Sequence, residues 1–299
     1  MNDKFYRLLT FAIVVLGIVG IGSIGLNLIN RQKQTIQLEQ LESASQMLAR
    51  GEYKKAIAAY DRLLKTDLAQ TQMLWTNRGY AYLGLDRYHS ALSSCSKATN
   101  IDPKAALAWN CLGEAQLHLG NNDAALTALT KASVIEPNNA TFKLNQSLVL
   151  QNLGQHRQAI EVNQEAIALL ESQQPPRQTI ALAFKRQGES WLELEKNEEA
   201  LTAFEKSLTY QPKDLAAIQG KAVALYRLGK YSQAINIFNR ILSRQNLTSE
   251  QQAINWLYKG ISLCETPKAS SATAAFLEVI KLSKNPQLLK LARSGCGIE

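Results

Sequence analysis

The chain has 299 residues, 46% of them hydrophobic, and a formal net charge of +8. That length supports a sizeable core, and four cysteines with no CxxC pair argue against an oxidising disulfide framework. The excess of Lys and Arg is scattered at wide spacing, without the focused patch and interleaved aromatics that a nucleic-acid partner needs.

Residues 1–7 form a short tail. Leu8 to Ile29 then hold no charged residue over 22 positions, which matches the roughly 20 residues a membrane-spanning helix needs and exceeds the usual apolar stretch of a cleaved signal. An uncleaved transmembrane helix over 8–29 is therefore expected, and with it a single-pass membrane protein. Lys4 and Arg7 before the span balance Arg31 and Lys33 after it, so flanking charge sets no orientation. The sparse cysteines place the rest of the chain on the cytoplasmic side. From Leu26 to Arg50 there is neither Gly nor Pro, and Ile36, Leu41, Ala44 and Leu48 fall at helical spacing, so the span is expected to run almost unbroken into the next helix.

Past that point the sequence repeats. Trp75 and Trp109, Gly79 and Gly113, Ala91 and Ala125, and Pro103 and Pro137 are each 34 residues apart. Seven units are placed at 37–70, 72–105, 106–139, 140–173, 181–214, 215–248 and 253–286. Each holds two amphipathic helical runs with a break at Gly51, Asp86, Gly120, Gly154 or Gly229. Small residues at Gly79, Gly113, Gly188 and Gly260, and at Ala56, Ala91, Ala125, Ala159, Ala200 and Ala234, would let paired helices approach closely. One such pair cannot bury its apolar face alone, so the pairs must stack. The Pro-containing stretch 174–180 reads as a surface loop between a block at 30–173 and a block at 181–286, and 287–299 as a C-terminal tail. Cys95 and Cys111 fall at helix-packing positions and read as small buried hydrophobes.

No constellation for chemistry stands out. His89, His118 and His156 lie in three different repeats with no carboxylate or Cys at ligand spacing, so no metal site is assigned. The phosphate-loop, dinucleotide and GxSxG signatures are absent. The carboxylates of Glu193–Glu199 read as a solvated helix end. No catalytic residue and no cofactor are expected.

With Trp75, Gly79, Tyr82, Ala91 and Pro103, then Trp109, Leu112, Gly113, Ala125 and Pro137, then Gly188, Ala200, Phe204 and Pro212, the chain resembles the tetratricopeptide repeat family. The resemblance implies an all-α fold: a right-handed α-solenoid of helix–turn–helix units, here with an N-terminal transmembrane helix. It also implies a protein or peptide ligand held on the inner face, along the first helix of each pair. Carried over position by position, that face gives Thr76, Tyr80, Asn110, Glu114, Gln151, Lys185, Glu189, Gln219 and Tyr226 as the partner-binding row. Leu41 and Ser45, then Leu107 and Cys111, stand where the chaperone-binding members carry basic residues and Asn, so that mode of clamping a terminal carboxylate is not expected.

The expected function is a non-catalytic, membrane-anchored scaffold that assembles or localises a membrane protein complex. Proteins of this layout occur among cyanobacterial factors for photosystem and pigment biogenesis at the thylakoid, a setting the resemblance suggests. The alternative is an exported repeat protein, released by signal cleavage, that binds periplasmic or extracellular partners.

Overall fold

A computed structural model describes residues 32–33, 35–173, 176–244 and 246–297. Among them the regular structure is helical throughout. The chain divides into two compact units, one ending at Asn121 and the other beginning at Asn122. The blocks expected on either side of 174–180 are a different division and rest on the sequence pattern.

The first unit holds α1 (residues 35–49), α2 (Tyr53–Leu63), α3 (Gln72–Leu83), α4 (Tyr88–Ile101) and α5 (Ala106–His118). The second holds α6 (Asn122–Ile135), α7 (Ala140–Asn152), α8 (His156–Gln173), α9 (Arg177–Glu193), α10 (Asn197–Tyr210), α11 (Leu215–Arg227), α12 (Tyr231–Leu242), α13 (Ser249–Cys264), α14 (Ala272–Leu282) and α15 (Pro286–Ser294). Within the stretch that follows the repeats, Asn285 caps α15 by accepting from the Gln287 amide, and Ala292 of that helix is buried.

Among the described residues, six of the turns inside the pairs share one device. The amide at the sixth position bonds back to the carbonyl at the first: Glu52 to Met47, Arg87 to Tyr82, Asn121 to Gln116, Gln155 to Leu150, Lys196 to Trp191 and Lys230 to Leu225, all at 2.9–3.0 Å. This closure needs a left-handed residue just before its last amide. Gly51, Gly120, Gly154 and Gly229 supply it with φ between 71° and 78°, whereas Asp86 and Glu195 adopt φ of 57° and 58°. Asp86 recovers something, since its carboxylate accepts from the Tyr88 hydroxyl at 2.7 Å. Glu195 carries a Cβ in a conformation that costs L-residues about 1–2 kcal/mol. Glu195→Gly is therefore expected to raise the stability of the second unit by about 1 kcal/mol, read as a higher urea midpoint at unchanged slope.

The small residues behave as the pitch implied. Ala56, Ala91, Ala125, Ala159, Ala200 and Ala234 are fully buried. A Cβ on Gly79 would lie 2.4 Å from the Cys95 sulfur, and one on Gly260 would lie 2.6 Å from the Phe276 ring. Where the fourth repeat has Ser147 in place of Gly, the buried hydroxyl donates to the Ala159 carbonyl at 3.0 Å. Polar ties continue along the second unit: the Asn163 amide reaches the Ala183 carbonyl at 2.7 Å, and the Ser207 hydroxyl reaches that of Ala181 at 2.8 Å.

Two expectations are corrected. The stretch Leu8–Ile29 lies outside the described residues, and among the described residues no helix is long and apolar enough to cross a membrane. The single-pass placement is thus not supported. Even α8, at 18 residues the longest described helix, carries Arg157, Glu161, Glu165 and Glu171 opposite its buried stripe of Ala159, Ile160, Ala166, Ile167 and Leu170. The cysteines are also not isolated hydrophobes. Cys95 pairs with Cys111 and Cys264 with Cys296, with Cα–Cα distances of 5.7 and 5.4 Å, inside the range a disulfide spans. Both pairs join separate elements, which spacing along the chain does not reveal.

Candidate functional site

The first helices of the repeats present residues at two depths, and the expected row divides between them. In the first unit, Thr76 on α3 is turned inward. It is 2% exposed, and its hydroxyl donates to the Gln72 carbonyl at 2.9 Å. Tyr80, one turn on, is half-buried. Its hydroxyl donates to the Leu107 carbonyl at 3.2 Å and accepts from the Asn110 side-chain amide at 2.8 Å. The same Asn110 nitrogen donates to a Glu114 carboxylate oxygen at 2.5 Å. Asn110 and Glu114 are four apart on α5 and so share a face.

These bonds make one polar cluster across α3 and α5. Burial pushes the Tyr80 phenol up, and the Glu114 carboxylate adds to the shift although the Asn110 bond opposes it. The phenol therefore stays protonated and serves as a donor at neutral pH. Asn110 is 2% exposed, so it orients Tyr80 and Glu114 and offers little surface of its own.

Sequence reasoning missed three exposed apolar residues of the same unit. Leu38, Met73 and Leu107 are 59%, 40% and 54% exposed. They stand on α1, α3 and α5, near the start of three successive first helices. Their spacings of 35 and 34 residues were the signal available.

In the second unit the expected residues again separate by depth. The Gln151 side-chain amide is spent between helices, donating to the Arg186 carbonyl and the Ser190 hydroxyl, each at 2.7 Å. Lys185 on α9 pairs with Asp214 at 3.0 Å. Asp214 is also the N-cap of α11, accepting from the Ala217 amide at 3.1 Å. Glu189, one turn beyond Lys185, remains open to solvent. Gln219 is half-buried on α11. Tyr226 belongs to an aromatic cluster, its ring centroid 5.8 Å from Tyr231 and 6.4 Å, edge-on, from Tyr258. Burial pushes its phenol up, with Glu265 adding to the shift.

Arg186 and Asp214 complete this second cluster, and neither was in the expected row. Arg186 donates to the Leu144 carbonyl at 3.1 Å, and burial lowers its guanidinium from the ordinary value. Although Glu189 is exposed as a residue, the protein packed around its carboxyl desolvates it and pushes it up, against the pull of Lys185 and Arg186. Burial works the same way on Asp214, but the Lys185 hydrogen bond and the Ala217 and Ala216 amides outweigh it, so its carboxyl is lowered.

The two acids therefore act oppositely on stability. Asp214 contributes stability that is present above its unfolded value and is lost as pH falls through its lowered folded value. Glu189 binds its proton more tightly when folded, so its contribution declines as pH rises from the unfolded value through the raised folded one. Asp214→Asn is expected to flatten the acid limb of the stability–pH profile, and Glu189→Gln to raise stability at neutral pH. Urea melts across the carboxylate range check both, and a Glu189→Gln variant less stable at pH 7 would contradict the assignment.

One tetratricopeptide repeat family model matches residues 192–254, and a second matches 44–106 and 97–140, together more than half of the chain. Among curated proteins no relative matches the sequence. Solved structures match it well. Cut9–Hcn1 of the APC/C hetero-tetramer matches at TM-score 0.64 and 19% identity, over 84% of this chain and 47% of that one. PilF of Pseudomonas aeruginosa matches at TM-score 0.62 and 19% identity, over 77% and 99%. A tetratricopeptide repeat protein from Parabacteroides merdae matches at TM-score 0.60 and 17% identity, over 86% and 98%. At these identities the likeness is one of fold.

Proposed function

The chain belongs to the tetratricopeptide repeat family, and from that premise we propose that it works as a non-catalytic scaffold that holds a partner polypeptide and brings it into a complex. Repeats of this family imply protein–protein interaction. The observation that carries the reading further is the arrangement in the first unit, where exposed Leu38, Met73 and Leu107 recur near the start of α1, α3 and α5, and Leu107 is tied by its carbonyl to the pre-oriented Tyr80–Asn110–Glu114 cluster. Apolar anchors beside fixed polar groups suit an extended segment of chain, the anchors giving affinity and the polar groups register. In the second unit, Lys185, Glu189, Gln219 and Tyr226 are the corresponding proposed contacts.

The test is affinity purification of the tagged full-length chain beside an Asn110→Ala/Glu114→Ala/Lys185→Ala variant. Partners are expected to follow the wild type and to be depleted at least about tenfold with the variant, the loss typical of a few central contacts. Equal recovery would place binding on another surface.

A second reading, of an exported protein acting on periplasmic or extracellular partners, is favoured by the two disulfides, because such bonds persist in oxidising compartments. It leaves the scaffold role unchanged and moves where the partner is met.

A further inference from the structure

The second unit has another feature that the inner-face reading does not use. Between the end of α10, α11 and α12 lies a cleft of 290 Å³. Leu208, Pro212, Ile218 and Ile237 line it over the fully buried Ile241, and Lys221, Arg240 and Arg244 complete the lining. Its apolar lining is the outer edge of an apolar cluster: Ile241 is fully buried, and Leu208, Ile218 and Ile237 are half-buried against Phe238 and its neighbours.

The charges at the rim are uneven. Lys221 is held by Glu205 at 2.9 Å. Arg240 and Arg244, four residues apart at the end of α12, are both exposed, and neither has an ion-pair or side-chain hydrogen-bond partner among the described residues. No carboxylate lines the cleft. Cations at a helix C-terminus answer the helix dipole, which accounts for the sign of the charge but not for an apolar floor beneath it. The surrounding sequence has the same bias, with eleven Lys and Arg against four Asp and Glu over 215–299.

We infer that this cleft is a second docking site, for an acidic peptide segment that inserts one large apolar side chain between Asp or Glu residues. The apolar side chain would cover the half-buried Leu208, Ile218 and Ile237, and the flanking carboxylates would meet guanidinium groups whose forked donors match them. A nucleic acid fits less well, because the lining contains no aromatic ring on which a base could stack. The cleft is separate from the Tyr80–Asn110–Glu114 and Lys185–Glu189 clusters, so the two sites can fail independently.

The experiment selects a random-peptide display library on the full chain, then titrates the recovered peptides by fluorescence anisotropy. The expected result is enrichment of an apolar residue flanked by Asp or Glu. Affinity should fall at least about tenfold with Arg240→Glu/Arg244→Glu, weaken with added salt, and stay unchanged with Asn110→Ala/Glu114→Ala. Arg240→Gln/Arg244→Gln, compared by circular dichroism, removes the charge without reversing it and should give an intermediate loss in a folded protein. Three results would each overturn the proposal: no acid-flanked apolar consensus, binding that ignores the arginine substitutions, or displacement of the peptide by oligothymidylate.

Discussion

Phe204→Ala is expected to lower the stability of the second unit by about 3–5 kcal/mol, the range for emptying a buried aromatic site. The ring is 1% exposed and is clasped from two helices. A Cβ on Gly188 of α9 would lie 2.9 Å from it, and one on Gly220 of α11 would lie 2.4 Å away. The ring cannot retreat from one glycine without meeting the other. Gly220→Ala should therefore cost about 1–3 kcal/mol from overpacking, reduced by the roughly 1 kcal/mol that Ala gains over Gly inside a helix. The decisive measurement is the double-mutant cycle. With Phe204 already cut to Ala, the clash is gone and the propensity gain remains, so Gly220→Ala should become stabilising. A Gly220→Ala penalty of the same size in both backgrounds would show that the ring does not set the need for glycine there.

That clasp illustrates what the sequence makes legible. Small residues at a fixed pitch announce close helix pairs, because only Gly or Ala lets backbones approach so nearly, and a Cβ on Gly79, Gly188 or Gly260 would fall inside van der Waals distance of a neighbour. The pitch does not say which ring fills the space, nor that Phe204 needs a second glycine at Gly220. The same limit applies to the candidate site. Helical spacing places Thr76, Tyr80, Asn110 and Glu114 near one face, but the neighbouring helix decides which side chains stay open. It buries Thr76, and it commits the Asn110 amide to Tyr80 and Glu114. Asp214 carried a readable signal as a short acidic residue before an apolar run, whereas its pairing with Lys185 required α9 and α11 to be side by side. The membrane span rests on composition over Leu8–Ile29, and no described helix is long and apolar enough to supply it.

Removing the Cys264–Cys296 bond, as Cys264→Ser/Cys296→Ser, is expected to lower the stability of the C-terminal end by about 3–4 kcal/mol, from the entropy of closing a loop of this size. The two cysteines are 32 residues apart, and the loop carries all of α14 and α15. Helix α15 buries Ala292, packs a half-buried Leu288 against the same cluster and leaves Leu291 38% exposed, a modest apolar area to hold nine residues in place. The covalent link therefore restrains an end that packing alone holds weakly. Hydrogen exchange should show protection lost in α14 and α15 of the double variant, with α7 to α9 unchanged. Reduction of the natural protein should follow exposure. Cys296 is exposed, while Cys95 and Cys111 are fully buried, so a mild reductant should free Cys264 and Cys296 first and reach the other pair when the first unit opens. Alkylation before and after reduction, read by mass spectrometry, follows both steps. Free Cys264 and Cys296 in protein matured in an oxidising compartment would remove the restraint, and with it the observation that favours an exported protein.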